Sequence, residues 1–155
     1  MQPLVIIYKT KTATEEKIFR HLHECKDNFM QPLDQRVNIG EYAKKIFERA
    51  VTFEAWSGEV LIGLVAAYFN DLKSLTGFIT NSSVVKQYMG TGVGKQLVAM
   101  CIEHAKENRF REIRVVVKKN NKAAIGLYKK YGFLDSDKKD EEMVWAISTT
   151  EGVLK

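Results

Sequence analysis

Gly90, Gly92 and Gly94 occupy every second position of the stretch YMGTGVGKQL (residues 88–97), and Lys95 follows them. Successive backbone N–H groups in a glycine-rich turn can converge on one anion. The N-terminus of a following helix adds unpaired donors and a positive dipole end. A loop without side chains in the way lets a pyrophosphate approach closely. The alternative is a tight strand-to-helix turn in which glycine only relieves strain. Spacing excludes two common phosphate loops. Counting back from Gly94-Lys95, a Walker A loop has its first glycine where Met89 stands and its magnesium-binding hydroxyl where Gln96 stands. The dinucleotide fingerprint G-x-G-x-x-G fails because positions 95 and 97 are Lys and Leu.

Other reactive residues form weaker constellations. His21, His23 and Cys25 resemble metal ligands by letter only. Residues two apart on a helix point to different sides, and His21 with Cys25 makes two ligands, not a site, so no metal is expected. No G-x-S-x-G elbow is present. Cys25 and Cys101 fall on apolar helix faces and read as buried thiols, which suits a reducing, cytoplasmic setting.

The net charge of +5 is unevenly placed: residues 106–130 hold nine Lys/Arg against two acids, just downstream of the glycines. This is either a solvated face or the bed of an anionic ligand. No nucleic-acid motif accompanies it, and the basic run alternates with core positions, so no nucleic-acid partner is expected. The longest apolar run, Val60 to Phe69, is about half of a bilayer span, and the N-terminal residues do not read as a signal peptide, so no membrane partner is expected. With 155 residues, 45 % of them apolar, and no linker or repeat, residues 1–155 read as a single domain.

These elements must position the glycines. PLVIIY near the start reads as a strand. A helix follows, capped by Thr12 or Thr14, with Ile18, Leu22, Cys25 and Phe29 at helical spacing. A second helix has Tyr42, Ile46 and Phe47 on one face. AVTFEAW, VLIGLVAAYF and TGFITNSSVV read as a three-stranded meander, turning at Ser57-Gly58 and at NDLKSL. Gly63 signals a bulge or a close approach to the backbone. The glycine turn then opens a helix with Leu97, Val98, Cys101, Ile102 and Ala105 inward. EIRVVV is a strand, NKAAIGLYKKY a short helix ended by Gly132, and EEMVWAI a closing strand, with a further one near Phe133. The unit over residues 76–117 is a right-handed parallel crossover. The fold class is therefore α/β (α+β): a mixed, mostly antiparallel sheet with one central parallel pair, flanked by about four helices.

The second motif completes the pattern. Asn121, Ala124, Leu127, Tyr128, Gly132 and Phe133 match Asn-x-x-Ala-x-x-Leu-Tyr-x-x-x-Gly-Phe. With the glycine turn and the intervening helix and strand, residues 84–133 resemble the GNAT superfamily of acyl-CoA-dependent N-acyltransferases. In the usual family register Gly92 and Gly94 are the motif glycines, and Met89 stands where Gln or Arg is usual; read two residues earlier, Gln87, Gly90 and Gly92 fit the letters, but the following helix would then start early.

The resemblance implies acetyl-CoA as cosubstrate. Its pyrophosphate would lie on Met89, Gly90, Thr91, Gly92, Val93, Gly94 and Lys95. Its pantetheine arm would run along Val84 and Val85, with Asn121 and Ala124 on the other side. A backbone N–H near Val85 would serve the thioester oxygen, and Tyr128 would be the general acid for the leaving thiolate. Glu54 or Asp71 would be the base, each also readable as a plain surface carboxylate. Asn70, Tyr68, Trp56, Asn81 and Arg36 are candidates for the acceptor side. The implied reaction is acetylation of a small-molecule primary amine. Acetylation of a protein N-terminus or lysine, and a non-catalytic acyl-CoA-binding module, are the alternatives. A homodimer is left open.

Overall fold

The computed structural model describes residues 5–29 and 31–146. In chain order the elements are β1 (Ile7–Thr10), α1 (Glu15–Cys25), α2 (Ile39–Arg49), β2 (Val51–Ser57), β3 (Val60–Asp71), β4 (Thr76–Val84), α3 (Val93–Glu107), β5 (Glu112–Val116), α4 (Lys122–Lys130), β6 (Leu134–Asp135) and β7 (Glu142–Ala146). The strands form one sheet in the order β1-β2-β3-β4-β5-β7-β6. Every neighbouring pair is antiparallel except β4–β5. The mixed sheet with one parallel pair and the four α-helices are as the sequence pattern requires. Pro3 and Leu4, the start of the expected first strand, lie outside the described residues, and the strand itself begins at Ile7.

Each face of the sheet carries its own core. Ile18 and Leu22 of α1 and Ala43 and Ile46 of α2 pack on Leu64 and Ala66. Leu97, Val98, Cys101 and Ala105 of α3, with Tyr128 of α4, pack on Val65, Ala67 and Ile79. The buried stripe of α2 is Ile39, Ala43 and Ile46, with Tyr42 half-buried; Phe47 is 45 % exposed, contrary to the periodicity. One turn past Ala43, the buried row continues on Ile46, and Phe47 rotates off it.

Helix starts differ in a way that bears on function. Thr14 caps α1 by accepting from Lys17 N at 3.2 Å, Asn38 caps α2 by accepting from Glu41 N at 2.9 Å, and Asn121 caps α4 by accepting from Ala124 N at 3.2 Å. The N-cap of α3 is Gly92, which has no side chain to offer. Its φ of +91° is left-handed, a conformation glycine holds without strain. Helix α3 is pressed close to the sheet: a Cβ on Gly63 would lie 2.7 Å from Val93 Cγ1 and 3.1 Å from Leu97 Cδ1. Gly63 also flanks a break in the β2–β3 register, so both readings of that glycine apply.

A second irregularity opens the sheet. Opposite Ala66 and Ala67 stand Asn81 and Ile79, which leaves Thr80 as an extra residue in β4. The bulge reverses which side chains face which layer. Ile79 packs with α3, whereas Ser83 meets His21 of α1. Pairing of β4 with β5 runs from Thr76↔Glu112 to Ile79↔Val115 and stops there, while β4 continues to Val84. The two central strands therefore part, and the edge of β4 beyond Ile79 is left without a strand partner.

Candidate functional site

The gap between β4 and β5 is a cavity of about 380 Å³. Thr80, Asn81 and Ser82 line it from β4, and Asn121, Ala124 and Tyr128 from α4 and the residue before it. Backbone direction along β4 is fixed by the bond from Val85 N to Ile62 O at 2.9 Å. N–H groups alternate sides along a strand, so those of Val84 and Ser82 point to the open edge. The Val85 N–H is spent on β3, and the N–H near it that points to the open edge is that of Val84. The edge positions are Ser82 and Val84.

The glycine turn closes one end of this edge. A 3₁₀ turn at Lys86–Tyr88 takes the Met89 N–H, which bonds Lys86 O at 3.2 Å. Met89, 49 % exposed, therefore has neither a polar side chain nor a free amide to give an anion. That overturns its expected role. The first bond of α3 is Gln96 N to Gly92 O at 3.1 Å, so the Val93, Gly94 and Lys95 amides have no acceptor within the helix. Built Cβ atoms on Gly90 and Gly92 would meet nothing within 4 Å. The turn is thus an open cradle, and the helix start at Val93 agrees with the register that makes Gly92 and Gly94 the motif glycines. Lys95 sits beside Lys130 at the end of α4. Hydrogen bonding to and the charge of the Lys130 side chain lower the Lys95 pKa. Two adjacent ammonium groups at a helix N-terminus favour an anion there. Elsewhere the basic stretch is partly neutralised: Arg114 pairs with Glu112 at 2.8 Å and Glu142 at 2.6 Å.

Tyr128 is 3 % exposed and stands at the cavity wall, its ring edge-on to Phe133 at 5.1 Å. Burial pushes its phenol up to about 12, against a hydrogen bond with Ser82 that lowers it. The group is both a core aromatic and a protonated donor facing the gap.

Asn81 is held from behind. The buried His21 donates from Nδ1 to Leu61 O at 2.9 Å, and its Nε2 lies 2.9 Å from Ser83 Oγ. Ser83 Oγ is in turn 2.8 Å from Asn81 Oδ1. Burial brings His21 down to about 4, so the ring is neutral with its proton on Nδ1, and the one Ser83 hydroxyl proton, which bonds Asn81 Oδ1, is shared with the ring's Nε2. This network absorbs the His21 and Cys25 pair that resembled metal ligands. Among the described residues no group of three or more His, Cys, Asp or Glu is placed to hold a metal ion, and no helix is long and apolar enough to cross a membrane.

Residues 15–133 match the profile of the acetyltransferase (GNAT) family. The chain belongs to that family. It is 31 % identical over 77 residues to a probable spermine N(1)-acetyltransferase of Bacillus subtilis subsp. natto (strain BEST195), a match covering 49 % of this chain. The chain spans about half of that relative, 51 % of its length. Among solved structures it resembles a GNAT acetyltransferase of Staphylococcus aureus Mu50, with a TM-score of 0.73 at 14 % identity over 93 % of this chain and 100 % of that one. It also resembles the ribosomal-protein-S18-alanine N-acetyltransferase of Escherichia coli, with a TM-score of 0.73 at 18 % identity over 93 % and 95 % of the two chains. At these identities the likeness is one of fold.

Two carboxylates expected at the GNAT site lie away from it. Glu54 is fully buried and its carboxylate accepts from Thr12 N at 2.9 Å, Ala13 N at 3.0 Å and Trp56 Nε1 at 3.0 Å, as well as from the hydroxyls of Thr12 and Thr52. It ties the connection between β1 and α1 to β2, and its lone pairs are taken. We expect Glu54→Gln to cost at least about 2 kcal/mol in urea unfolding, because an amide NH₂ would face donors. Turnover at 25 °C should stay within about twofold, whereas loss of a base would cost on the order of a hundredfold. Asp71 pairs with Thr76 at the opposite end of β4, about 20 Å from Ser82 at ordinary strand rise. Its carboxylate accepts from the Lys73 and Ser74 amides at 3.2 and 3.1 Å, which stops the turn and lowers its pKa.

Of the acceptor-side candidates, Asn81 and Arg36 line the gap. Asn70 instead donates to Arg49 O at 3.1 Å, Trp56 donates to Glu54, and Tyr68 packs with the α2 layer. Ser82 and Lys130 were missed as site residues. Ser82 was within reach, since it shares an edge with Val84 by simple alternation. Lys130 becomes a neighbour of Lys95 only through the packing of α4.

Proposed function

We propose that the protein is an N-acetyltransferase that moves an acetyl group from acetyl-CoA directly to a primary amine of a small molecule. One observation carries the reading: of the four α-helices among the described residues, α3 alone starts without a side-chain cap, and its unpaired amides follow the edge of β4 that has no strand partner there. The open space over Gly90 and Gly92 fits a pyrophosphate, and the edge fits an extended, amide-bearing arm. Bound there, acetyl-CoA supplies an acyl group already activated as a thioester.

The chain's own groups do the rest. The amides of Gly90 to Lys95, with the Lys95 and Lys130 ammonium groups, bind and orient the phosphates. Ser82 and Val84 present edge N–H groups to the carbonyls of the arm and the acyl group. Asn121, its Oδ1 used as the cap of α4, turns its NH₂ to the arm. Asn81, fixed by Ser83 and His21, meets the incoming amine, and alignment in one cleft supplies much of the rate. Tyr128 keeps its proton until the sulfur leaves and then donates it. Cys25 and Cys101 take no covalent part: both are buried, and burial raises each thiol, that of Cys25 to about 12. Among the described residues no carboxylate lines the gap, so the amine reacts in its neutral form and its proton passes to water.

The test is release of free thiol from acetyl-CoA with a panel of small primary amines, with the acetylated amine identified by mass. Stoichiometric acetylamine and thiol are expected. Binding of acetyl-CoA without transfer to any amine would leave a non-catalytic acyl-CoA-binding module.

A further inference from the structure

We propose that the acceptor is a small amine that also carries a carboxylate, in the manner of an amino acid, and that Arg36 holds that carboxylate. The inference rests on the acetyltransferase reading above.

The acceptor side of the gap is made by the connection between α1 and α2. Asn28 places that connection over the open edge, its Nδ2 lying 3.4 Å from Val84 O. Phe29, Gln31 and Arg36 then face the gap opposite α4. Arg36 is exposed to solvent, and its guanidinium lies 5.7 Å from the centre of the half-buried Phe29 ring, within cation–π range on the side of the gap. Among the described residues Arg36 makes no ion pair, whereas the other cation of the lining, Lys118, meets Glu141 at 3.4 Å. A planar fork of five donors, held beside a cavity and without a carboxylate partner, is shaped to take one from a ligand.

The lining also argues by what it offers a polyamine. Among the described residues the cavity lining holds Arg36 and Lys118 and no Asp or Glu. A polyamine brings further ammonium groups to the site beside the one that reacts. Here they would meet like charge while losing water, which disfavours entry. An amino acid adds one anion, and the fork answers it. The volume of about 380 Å³ suits the end of an acyl-CoA arm with a compact acceptor.

The test uses the full chain, saturating acetyl-CoA and matched acceptors: glycine against methylamine, phenylalanine against phenethylamine, and spermine. Wild type is expected to favour the carboxylate-bearing member of each pair by on the order of tenfold in kcat/KM, and to use spermine poorly. Arg36→Gln is expected to bring each ratio near one, through a rise in the acceptor KM and not in that of acetyl-CoA. Arg36→Glu is expected to turn the preference toward spermine. Wild-type preference for spermine or for the carboxylate-free amines would overturn the assignment, as would an Arg36→Gln variant that slows all acceptors alike. Transfer only to peptide amines would also overturn it. Transfer to no amine at all would sink the acetyltransferase reading with it. Transfer with the wrong preference sinks only the role of Arg36.

Discussion

Gly92→Glu is expected to abolish measurable acetyl-CoA binding while leaving the protein folded. Two effects act together. At φ +91° a side chain costs on the order of 1–2 kcal/mol of backbone strain, a tolerable part of total stability. The space over Gly92 is empty, so the added side chain clashes with no protein atom. It projects instead into the cradle and sets a carboxylate among the donors meant for phosphate. Displacing one anion by another, with repulsion added, should weaken binding at least about a hundredfold. Calorimetry with acetyl-CoA, beside a urea melt, separates the two effects. Gly92→Ala keeps the strain without the charge and should bind at an intermediate level. A Gly92→Glu variant that folds and binds as wild type would mean that the turn holds no phosphate.

Tyr128→Phe is expected to lower kcat by on the order of a hundredfold with little change in acetyl-CoA affinity. The ring stays, so the packing against Phe133 is kept, and only the phenol is lost. The pH profile gives a sharper readout. With its pKa pushed up to about 12, Tyr128 holds its proton throughout the working range. Wild-type kcat/KM should therefore rise with pH as the acceptor amine loses its proton, and level off near the amine's own pKa. With acetyl-CoA saturating, Tyr128 should add no descending limb below about pH 11. A descending limb near pH 7–8 that vanishes in Tyr128→Phe would contradict this assignment.

What could be read from the sequence was whatever depends on local period and turn chemistry. The spacing of Ile18, Leu22 and Cys25 in α1 and of the buried row in α3, the glycine start of α3 and Gly132 closing α4 are local signals, and they fold as written, whereas Phe29, read on the same spacing, lies beyond the end of α1. What could not be read depends on pairing between strands. Val85 and Met89 carry amides like any other, and only the register shows that Ile62 and Lys86 have taken them. The bulge at Thr80 has no signature in TGFITNSSVV, yet it turns Asn81 and Ser83 toward α1 and leaves Ser82 and Val84 on the open edge. Glu54 looks like any carboxylate on an alternating strand. Its burial follows from Thr12, forty-two residues away, folding over it. Asp71 was placed by its type and not by its distance along β4. The acceptor side was the least legible part, because Arg36 and Asn81 lie forty-five residues apart and meet only across the gap.

The most direct test of the account is a ¹H–¹⁵N spectrum of the wild-type protein titrated with acetyl-CoA. The account predicts saturable shifts at the amides of Ser82 and Val84 and of Gly90 to Lys95. The Val85 and Met89 amides, already bonded within the protein, should move less. Shifts confined to a different cavity, such as the one of about 400 Å³ beside His21 and Tyr88 on the α1 side of the sheet, or no saturable shifts at all, would contradict it.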